Sequence, residues 1–471
     1  MSEHHPIRNL DSLFHSQKRA FVADPVPSLQ SRLDKLDRLK KELILHHQDL
    51  IEAMSQDFGV RSRYDCIFGD IISTLQLIKY TSKNLRNWMK PSRRSAGMML
   101  APARVEVIYR PLGVVGIISP WNFPVQLCLM PLITALAAGN RVMIKLSEYT
   151  PVTNAALGKL LCGIFPRDEV CTVEGDATVA ETFSKLPFDH LLFTGSTSVG
   201  RHVLTNAAAN LTPVTLELGG KSPCLIAPDM PLDAAIDRIV YGKSLNAGQI
   251  CIAPDYILIP RGKEEAFAQG FVKKFQTFYP AGIKDDGYTS IINSKQYSRL
   301  SSWLDEAKEK GAKVIPCGEP SCDAQNRRML PHLLLNTPHD CTLMNEEIFG
   351  PLLPVIPYDS IREAIAYIKE RPHPLALYLM SFDQTLQKKV LSETQSGGVC
   401  INDTLMHVAA DDAPFGGIGP SGMGHYHGHE GFLTFSKAKT VLTRGRFYPA
   451  KYIQPPFDTP LKKFLINWLI R

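Results

Sequence analysis

Residues 113–146 read GVVGIISPWNFPVQLCLMPLITALAAGNRVMIKL, two apolar runs separated by a helix-forming stretch. GVVGIIS (113–119) and RVMIKL (141–146) are continuous enough to be strands buried on both faces. Between them Pro124 opens a helical pattern that runs through Leu136 and stops at AAGN, with Gly139 in the C-cap region. Strand, helix and strand in that order form a parallel unit, and such units bind ligands beyond the carboxyl ends of their strands. The alternation continues through VCTVEG (170–175) and DHLLFTGS (189–196). In the second half, helices near 263–278, 296–310 and 384–395 lie between short strands. The expected fold class is therefore α/β.

Working outward, residues 28–58 and a segment ending near Trp88 carry leucines at helical spacing, and the stretch from Pro91 breaks the pattern. RVEVIYRP (104–111) alternates as a half-exposed strand of a hairpin or arm. The chain has 471 residues, too many for one core, so two or three domains are expected. Its net charge of +6, from 52 basic and 46 acidic residues, is dispersed, which argues against nucleic acid as a partner. Ten cysteines without CxxC pairs or zinc spacing, no secretory leader and no apolar stretch of bilayer length point to a soluble cytoplasmic protein.

Several short stretches carry possible chemistry, each beside a plainer reading. FTGSTSVG (193–200) ends a strand and enters a helix at about Val199. Its backbone amides could hold phosphate oxygens, or it is an ordinary turn. GIGPSG (417–422) spells a dinucleotide fingerprint but has no preceding strand and carries Pro420 where a helix should open. HYHGHE (425–430) has histidine spacing that suits no metal site, and Gly428 suggests a mobile loop. In TPVTLELGG (212–220), Glu217 points opposite to Leu216 and Leu218, as a solvent-facing glutamate or as a general base at a strand's carboxyl end. Asn122 is either a turn residue between prolines or an oxyanion donor. Cys251, in NAGQICIAP (246–254), has no histidine within twenty residues. It is either a small hydrophobe or a nucleophile whose proton would pass to Glu217.

In order along the chain, PWNFP (120–124), KLSE (145–148), FTGSTSVG, LELGGKSP (216–223), GQIC (248–251), EEIFGP (346–351) and PFGGIGPSG (414–422) resemble the NAD(P)-dependent aldehyde dehydrogenase superfamily. The short N-terminus, GQICIAPDY and GMGHYHGHEGF are similar to its class 3 branch and to coniferyl aldehyde dehydrogenases. The resemblance implies two doubly wound, Rossmann-like domains with a small β arm. The NAD-binding domain would span 1–98 and 116–216, the catalytic domain 217–412, the oligomerisation arm 99–115 and 413–446, and a tail 447–471. It implies that Cys251 attacks an aldehyde to give a thiohemiacetal, with Asn122 and the Cys251 amide at the oxyanion. Glu217 would then activate water on the thioester to release a carboxylic acid.

Around the cofactor the resemblance places Gly195, Ser196 and Gly200 at the pyrophosphate and Lys145 and Glu148 at the adenosine ribose. Glu347 would hold the nicotinamide ribose, with Phe349, Trp121 and Leu218 packed nearby. NAD is the expected cofactor because Glu148 should repel a 2′-phosphate, with NADP as the alternative. No metal is expected, and the partners expected are an aldehyde and a second copy of the chain. The sequence departs from the family at Leu146, where proline is usual, and at Ile250. The retained Glu217 sets the chain apart from acylating or phosphorylating relatives, and Cys251, Glu217 and Asn122 together set it apart from a silent homologue. In the tail, Leu461, Phe464, Leu465, Trp468 and Leu469 form an apolar helical stripe, for packing on a subunit or for peripheral membrane contact.

Overall fold

The opening stretch folds as strand Val114–Ile118, helix Gln126–Ala138 and strand Arg141–Lys145. The structure, a computed structural model, describes residues 6–447 and 454–470. Side chains at 6–9, 98–99, 465 and 469 lie outside that description. Residues 1–5 of the expected first domain, 448–453 and 471 of the expected tail, and the Leu465 and Leu469 side chains therefore lie outside the described residues.

Two open sheets organise the chain. The first has six strands in the order Gly422–Met423, Val214–Glu217, His190–Thr194, Val114–Ile118, Arg141–Lys145, Val170–Val173. All neighbours are parallel except Gly422–Met423, which runs antiparallel to Val214–Glu217. From Val114–Ile118 the chain builds outward in one direction and then returns to place His190–Thr194 on the other side. That reversal is a topological switch point, where an open α/β sheet has a crevice for a ligand. The loops leaving the two strands carry Trp121 and Asn122, and Gly195 and Ser196. The second sheet has seven strands in the order Lys313–Pro316, His332–Leu335, Leu352–Tyr358, Tyr256–Pro260, Pro223–Ile226, Ala376–Met380, Gly398–Ile401, of which only Lys313–Pro316 is antiparallel to its neighbour. A three-stranded antiparallel sheet joins Ser92–Arg94, Arg104–Pro111 and Ser436–Thr443. The α/β class and doubly wound sheets agree with the sequence reading.

Some local expectations are corrected. The helix between the two opening strands begins at Gln126 rather than Pro124, because its leading amides are capped from far away. Asp70 Oδ1 accepts from the backbone N–H of Val125 at 3.1 Å and of Gln126 at 2.9 Å. The helix after FTGS begins at Thr197 rather than near Val199, with Ser196 as its N-cap. Residues after Pro91, read only as a break, form strand Ser92–Arg94. The stretch 425–430 is not a mobile loop: Tyr426 and His427 are buried and helix Gly428–Thr434 starts at its glycine. The tail forms helix Pro460–Ile470 with Leu461, Phe464 and Trp468 exposed. Among the described residues no helix is long and apolar enough to cross a membrane.

Asp70 does more than cap. Its other oxygen accepts from Arg61 at 2.9 Å, and both side chains are fully buried. Arg61 also donates to the carbonyl oxygen of Asn122 at 2.7 Å. Removing one partner of a buried ion pair strands the other charge away from water, which costs about 3–5 kcal/mol. The Asp70→Ala variant is expected to lose about that much stability, seen as a lower urea midpoint; a midpoint equal to that of the unmodified chain contradicts the assignment.

Candidate active site

Cys251 follows helix Leu232–Ser244 across a turn that bends the chain sharply. Asn246, Ala247 and Gly248 all take positive φ, at 49°, 51° and 71°. Two of the three are not glycine, and each such residue costs about 1–2 kcal/mol. The turn is held by its surroundings. Asn246 N–H donates to Asp65 Oδ2 at 3.0 Å, and its side-chain amide donates to the carbonyl oxygens of Asn122 at 3.1 Å and Gln249 at 3.2 Å. The fully buried Gln249 side chain donates to the carbonyls of Asn246 and Ser290, each at 3.0 Å, and accepts from Ile292 N–H at 3.0 Å. At Gly248 a Cβ would stand 2.6 Å from the Gly350 carbonyl oxygen, so only glycine lets the two loops approach. Cys251 itself is half-buried.

Asn122 is buried in the loop after Val114–Ile118. Its Nδ2 donates to the Gln249 carbonyl oxygen at 3.1 Å. That bond uses one amide hydrogen and orients the other. Asn122 and the cysteine loop are thus tied together directly, although 129 positions separate Asn122 from Cys251.

Glu217 ends strand Val214–Glu217 and is 3% exposed, which rules out the solvent-facing reading. Neither carboxylate oxygen has a hydrogen-bonding partner among the described residues. Burial pushes its pKa well above the ordinary carboxylate range. The Gly422–Met423 pairing and the 3.1 Å bond from Leu218 N–H to the Ser421 carbonyl close the end of this strand. Cys251 lies within electrostatic reach of both Glu217 and Glu347. Burial first, then these two carboxylates, push its thiol up to about 12, against the pull of the Cys251 and Ile252 backbone N–H groups. The structure therefore brings Cys251, Asn122, Glu217 and Glu347 to one place.

Glu347 faces Gly219, where a Cβ would lie 2.1 Å from its carboxylate oxygen. Burial and the charge of Asp255 raise Glu347 to about 8, opposed by the Gly220 N–H, Lys221 and Arg299. Phe349 packs edge-on against Trp121 with ring centroids 5.3 Å apart. At the switch point Ser196 is exposed, Gly195 N–H donates to the Glu217 carbonyl at 3.0 Å, and a Cβ at Gly200 would lie 2.7 Å from the buried Leu218 side chain. This helix start, with its small residues, suits a phosphate group. The Lys145 ammonium is buried, donates to the Leu146 carbonyl at 2.7 Å and lies 3.6 Å from the exposed Glu148 carboxylate. Together these residues fit a dinucleotide crossing the switch point, with Glu347 at the end beside Cys251. Among the described residues no group of three His, Cys, Asp or Glu could hold a metal ion.

Sequence reading missed the groups that hold this arrangement. Asp65 and Asp70 lie in an N-terminal helical stretch and Arg61 in the loop that leads into it, with no motif at any of them. Lys221 and Asp255 form an ion pair that grips the Glu347 segment. Lys221 donates to the carbonyls of Leu343 at 2.7 Å and Glu346 at 2.9 Å, and Asp255 accepts from Ile348 N–H at 2.9 Å. The available signal was the placement of Asn246, Gln249 and Lys221 inside the motifs that carry Cys251 and Glu217.

Comparison with known proteins bears on the family of the chain. The profile of the aldehyde dehydrogenase family matches residues 9–441. A probable coniferyl aldehyde dehydrogenase of Pseudomonas aeruginosa is 52% identical over 465 residues, covering 99% of this chain and 97% of the relative. The coniferyl aldehyde dehydrogenase of a Pseudomonas species is 43% identical over 438 residues, covering 92% and 91%. Among solved structures, the substrate-bound state of Staphylococcus aureus AldH superposes with a TM-score of 0.93 at 37% identity, covering 98% and 99%. A Mycobacterium tuberculosis aldehyde dehydrogenase complexed with NAD+ gives 0.85 at 27% identity, covering 94% and 91%. Placed beside the convergence of Cys251, Asn122 and Glu217, these matches mean that the chain belongs to the aldehyde dehydrogenase family, oxidoreductases that act on aldehydes.

Proposed function

We propose that the chain uses NAD to oxidise aromatic aldehydes of the coniferyl type to carboxylic acids through a covalent intermediate on Cys251. The observation that carries this reading is the buried, unpartnered carboxylate of Glu217 within electrostatic reach of the Cys251 sulfur. A desolvated carboxylate with a raised pKa is a stronger base when ionised, suited to taking a proton from the thiol or from water.

Glu217, directly or through water, takes the Cys251 proton and passes it to solvent as the sulfur attacks the aldehyde carbon, forming a C–S bond and an oxyanion. The free amide hydrogen of Asn122 and the Cys251 backbone N–H stabilise that oxyanion. Collapse of the oxyanion re-forms the C=O bond, breaks the C–H bond of the same carbon and leaves a thioester on Cys251; a nicotinamide dinucleotide held along the Ser196 helix start and Glu347 would accept that hydride. Glu217 then takes a proton from water as its oxygen attacks the thioester carbon. The C–S bond breaks, releasing the acid and restoring the cysteine. Retention of Glu217 disfavours an acylating or phosphorylating relative, where another acceptor takes the thioester. The substrate class draws on the similarity to coniferyl aldehyde dehydrogenases. Residues 1–98 and 116–216 as the NAD-binding domain, 217–412 as the catalytic domain, a dimer formed through the three-stranded arm, and a tail helix contacting a subunit or membrane surface belong to the same proposal. So does a cytoplasmic location, consistent with ten unbridged cysteines.

The Cys251→Ala variant is expected to bind NAD and to produce no NADH; turnover near that of the unmodified enzyme overturns the nucleophile. Glu217→Gln is expected to give a burst of NADH followed by turnover slowed about 10²-fold or more, in line with loss of a general base. Steady-state turnover without a burst and near the normal rate would remove Glu217 from deacylation.

For the cofactor, the exposed Glu148 carboxylate disfavours a 2′-phosphate, and the Lys145 ammonium is already buried against the Leu146 carbonyl. The expected outcome is a kcat/KM for NAD at least about tenfold above that for NADP, equivalent to roughly 1.4 kcal/mol. A preference for NADP contradicts this choice.

A further inference from the structure

Two histidines that flank Phe415 have no role in the steps above. His427 is 1% exposed and His407 is half-buried, and neither ring nitrogen of either residue has a hydrogen-bonding partner among the described residues. Burial lowers both to about 4, so each is a neutral imidazole with one donor and one acceptor. Leaving such groups unpaired costs about 1–3 kcal/mol each, and buried orphans of this kind call for an explanation.

Their positions give one. Phe415 lies between them, with ring centroids 6.1 Å from His407 and 5.4 Å from His427, the latter stacked at 20°. Phe415 also packs against the large core of the second sheet, which Cys251 borders as well, and against the core that contains Tyr426. Each histidine packs against one buried tyrosine ring. His427 touches Tyr426 at 4.7 Å between centroids, and Tyr426 lies within electrostatic reach of Glu217 and Cys251. His407 lies 6.0 Å from Tyr378, whose hydroxyl donates to the carbonyl of Ile252, next to Cys251. Both histidine loops also hold a non-glycine residue at positive φ, His427 itself at 109° and Leu405 at 66°. Backbone strain of this kind collects at ligand-binding sites.

We propose that His407 and His427 recognise a hydrogen-bonding ring substituent, a phenolic hydroxyl with or without a methoxy neighbour, on the aromatic aldehyde held at Cys251. The inference rests on the aromatic-aldehyde reading given above. A phenol both donates and accepts, matching what a neutral imidazole offers, and its flat ring packs against Phe415. An aliphatic chain or an unsubstituted ring leaves the four nitrogens unpaired, which is how a polar pocket rejects a ligand lacking the polar group.

The test compares kcat/KM for coniferyl aldehyde and cinnamaldehyde in the unmodified enzyme, His407→Phe and His427→Phe. A ratio taken within one preparation does not depend on how much of it is active. The unmodified enzyme is expected to favour coniferyl aldehyde by at least about tenfold, and each variant to lower that ratio at least about threefold. A ratio near one in the unmodified enzyme, or a ratio unchanged in both variants, overturns the proposal. Should the variants not fold, inhibition of the unmodified enzyme decides. Guaiacol is expected to compete with the aldehyde at least about tenfold more tightly than anisole, and equal inhibition overturns the assignment. Failure of the aromatic reading itself looks different, with aliphatic aldehydes oxidised and neither cinnamaldehyde nor coniferyl aldehyde turned over.

Discussion

The carbonyl oxygen of Gln249 accepts from the side-chain amides of both Asn122 and Asn246, and the rest of the site depends on that shared acceptor. It joins a loop of the first sheet to the loop that carries Cys251. Around it lies a buried web in which Asp65 takes the Asn246 N–H, Arg61 takes the Asn122 carbonyl and Asp70 takes Arg61 and the start of helix Gln126–Ala138. Buried polar groups are costly unless paired, so each member of the web limits where the others can stand. This over-determination is what holds Asn246 and Ala247 in a backbone region that L-residues avoid.

Electrostatics at the site follow from the same exclusion of water. Two carboxylates, Glu217 and Glu347, sit near one thiol, and burial raises all three. A desolvated carboxylate is a better base, and a thiol held protonated is protected from stray chemistry until a proton acceptor is ready. The switch point of the first sheet supplies the other half of the arrangement, because the loops after Val114–Ile118 and His190–Thr194 place Asn122 and the Ser196 helix start on the same edge. The Lys221–Asp255 pair then fixes the Glu347 segment against Gly219, so the site draws on both sheets.

How much of this was legible in the sequence depended on whether the cause was local. The strands and helix of 113–146 were readable because burial on both faces requires continuous apolar runs. The side of the strand on which Glu217 lies was readable from alternation, whereas its burial was not, because the 414–424 segment that closes over it comes two hundred residues later. The start of helix Gln126–Ala138 lies two residues beyond the Pro124 that the sequence suggests because its cap, Asp70, belongs to a distant element. His427 was read as part of a loop because the histidines and Gly428 look solvent-exposed locally, while packing against Phe415 and Tyr426 buries it. The Arg61, Asp65 and Asp70 contributions left no trace in the sequence, since a polar residue in a helix or a connecting loop reads as surface until its partner is known.

The central claim is that a sulfur, an amide and a carboxylate from three separate segments work on one carbonyl carbon. It is tested most directly by mass spectrometry of Glu217→Gln enzyme mixed with NAD and an aromatic aldehyde, quenched in acid during turnover. The account predicts an added acyl mass on the peptide that contains Cys251 and on no other cysteine peptide. An unmodified Cys251 peptide recovered while NADH accumulates beyond one equivalent would contradict it.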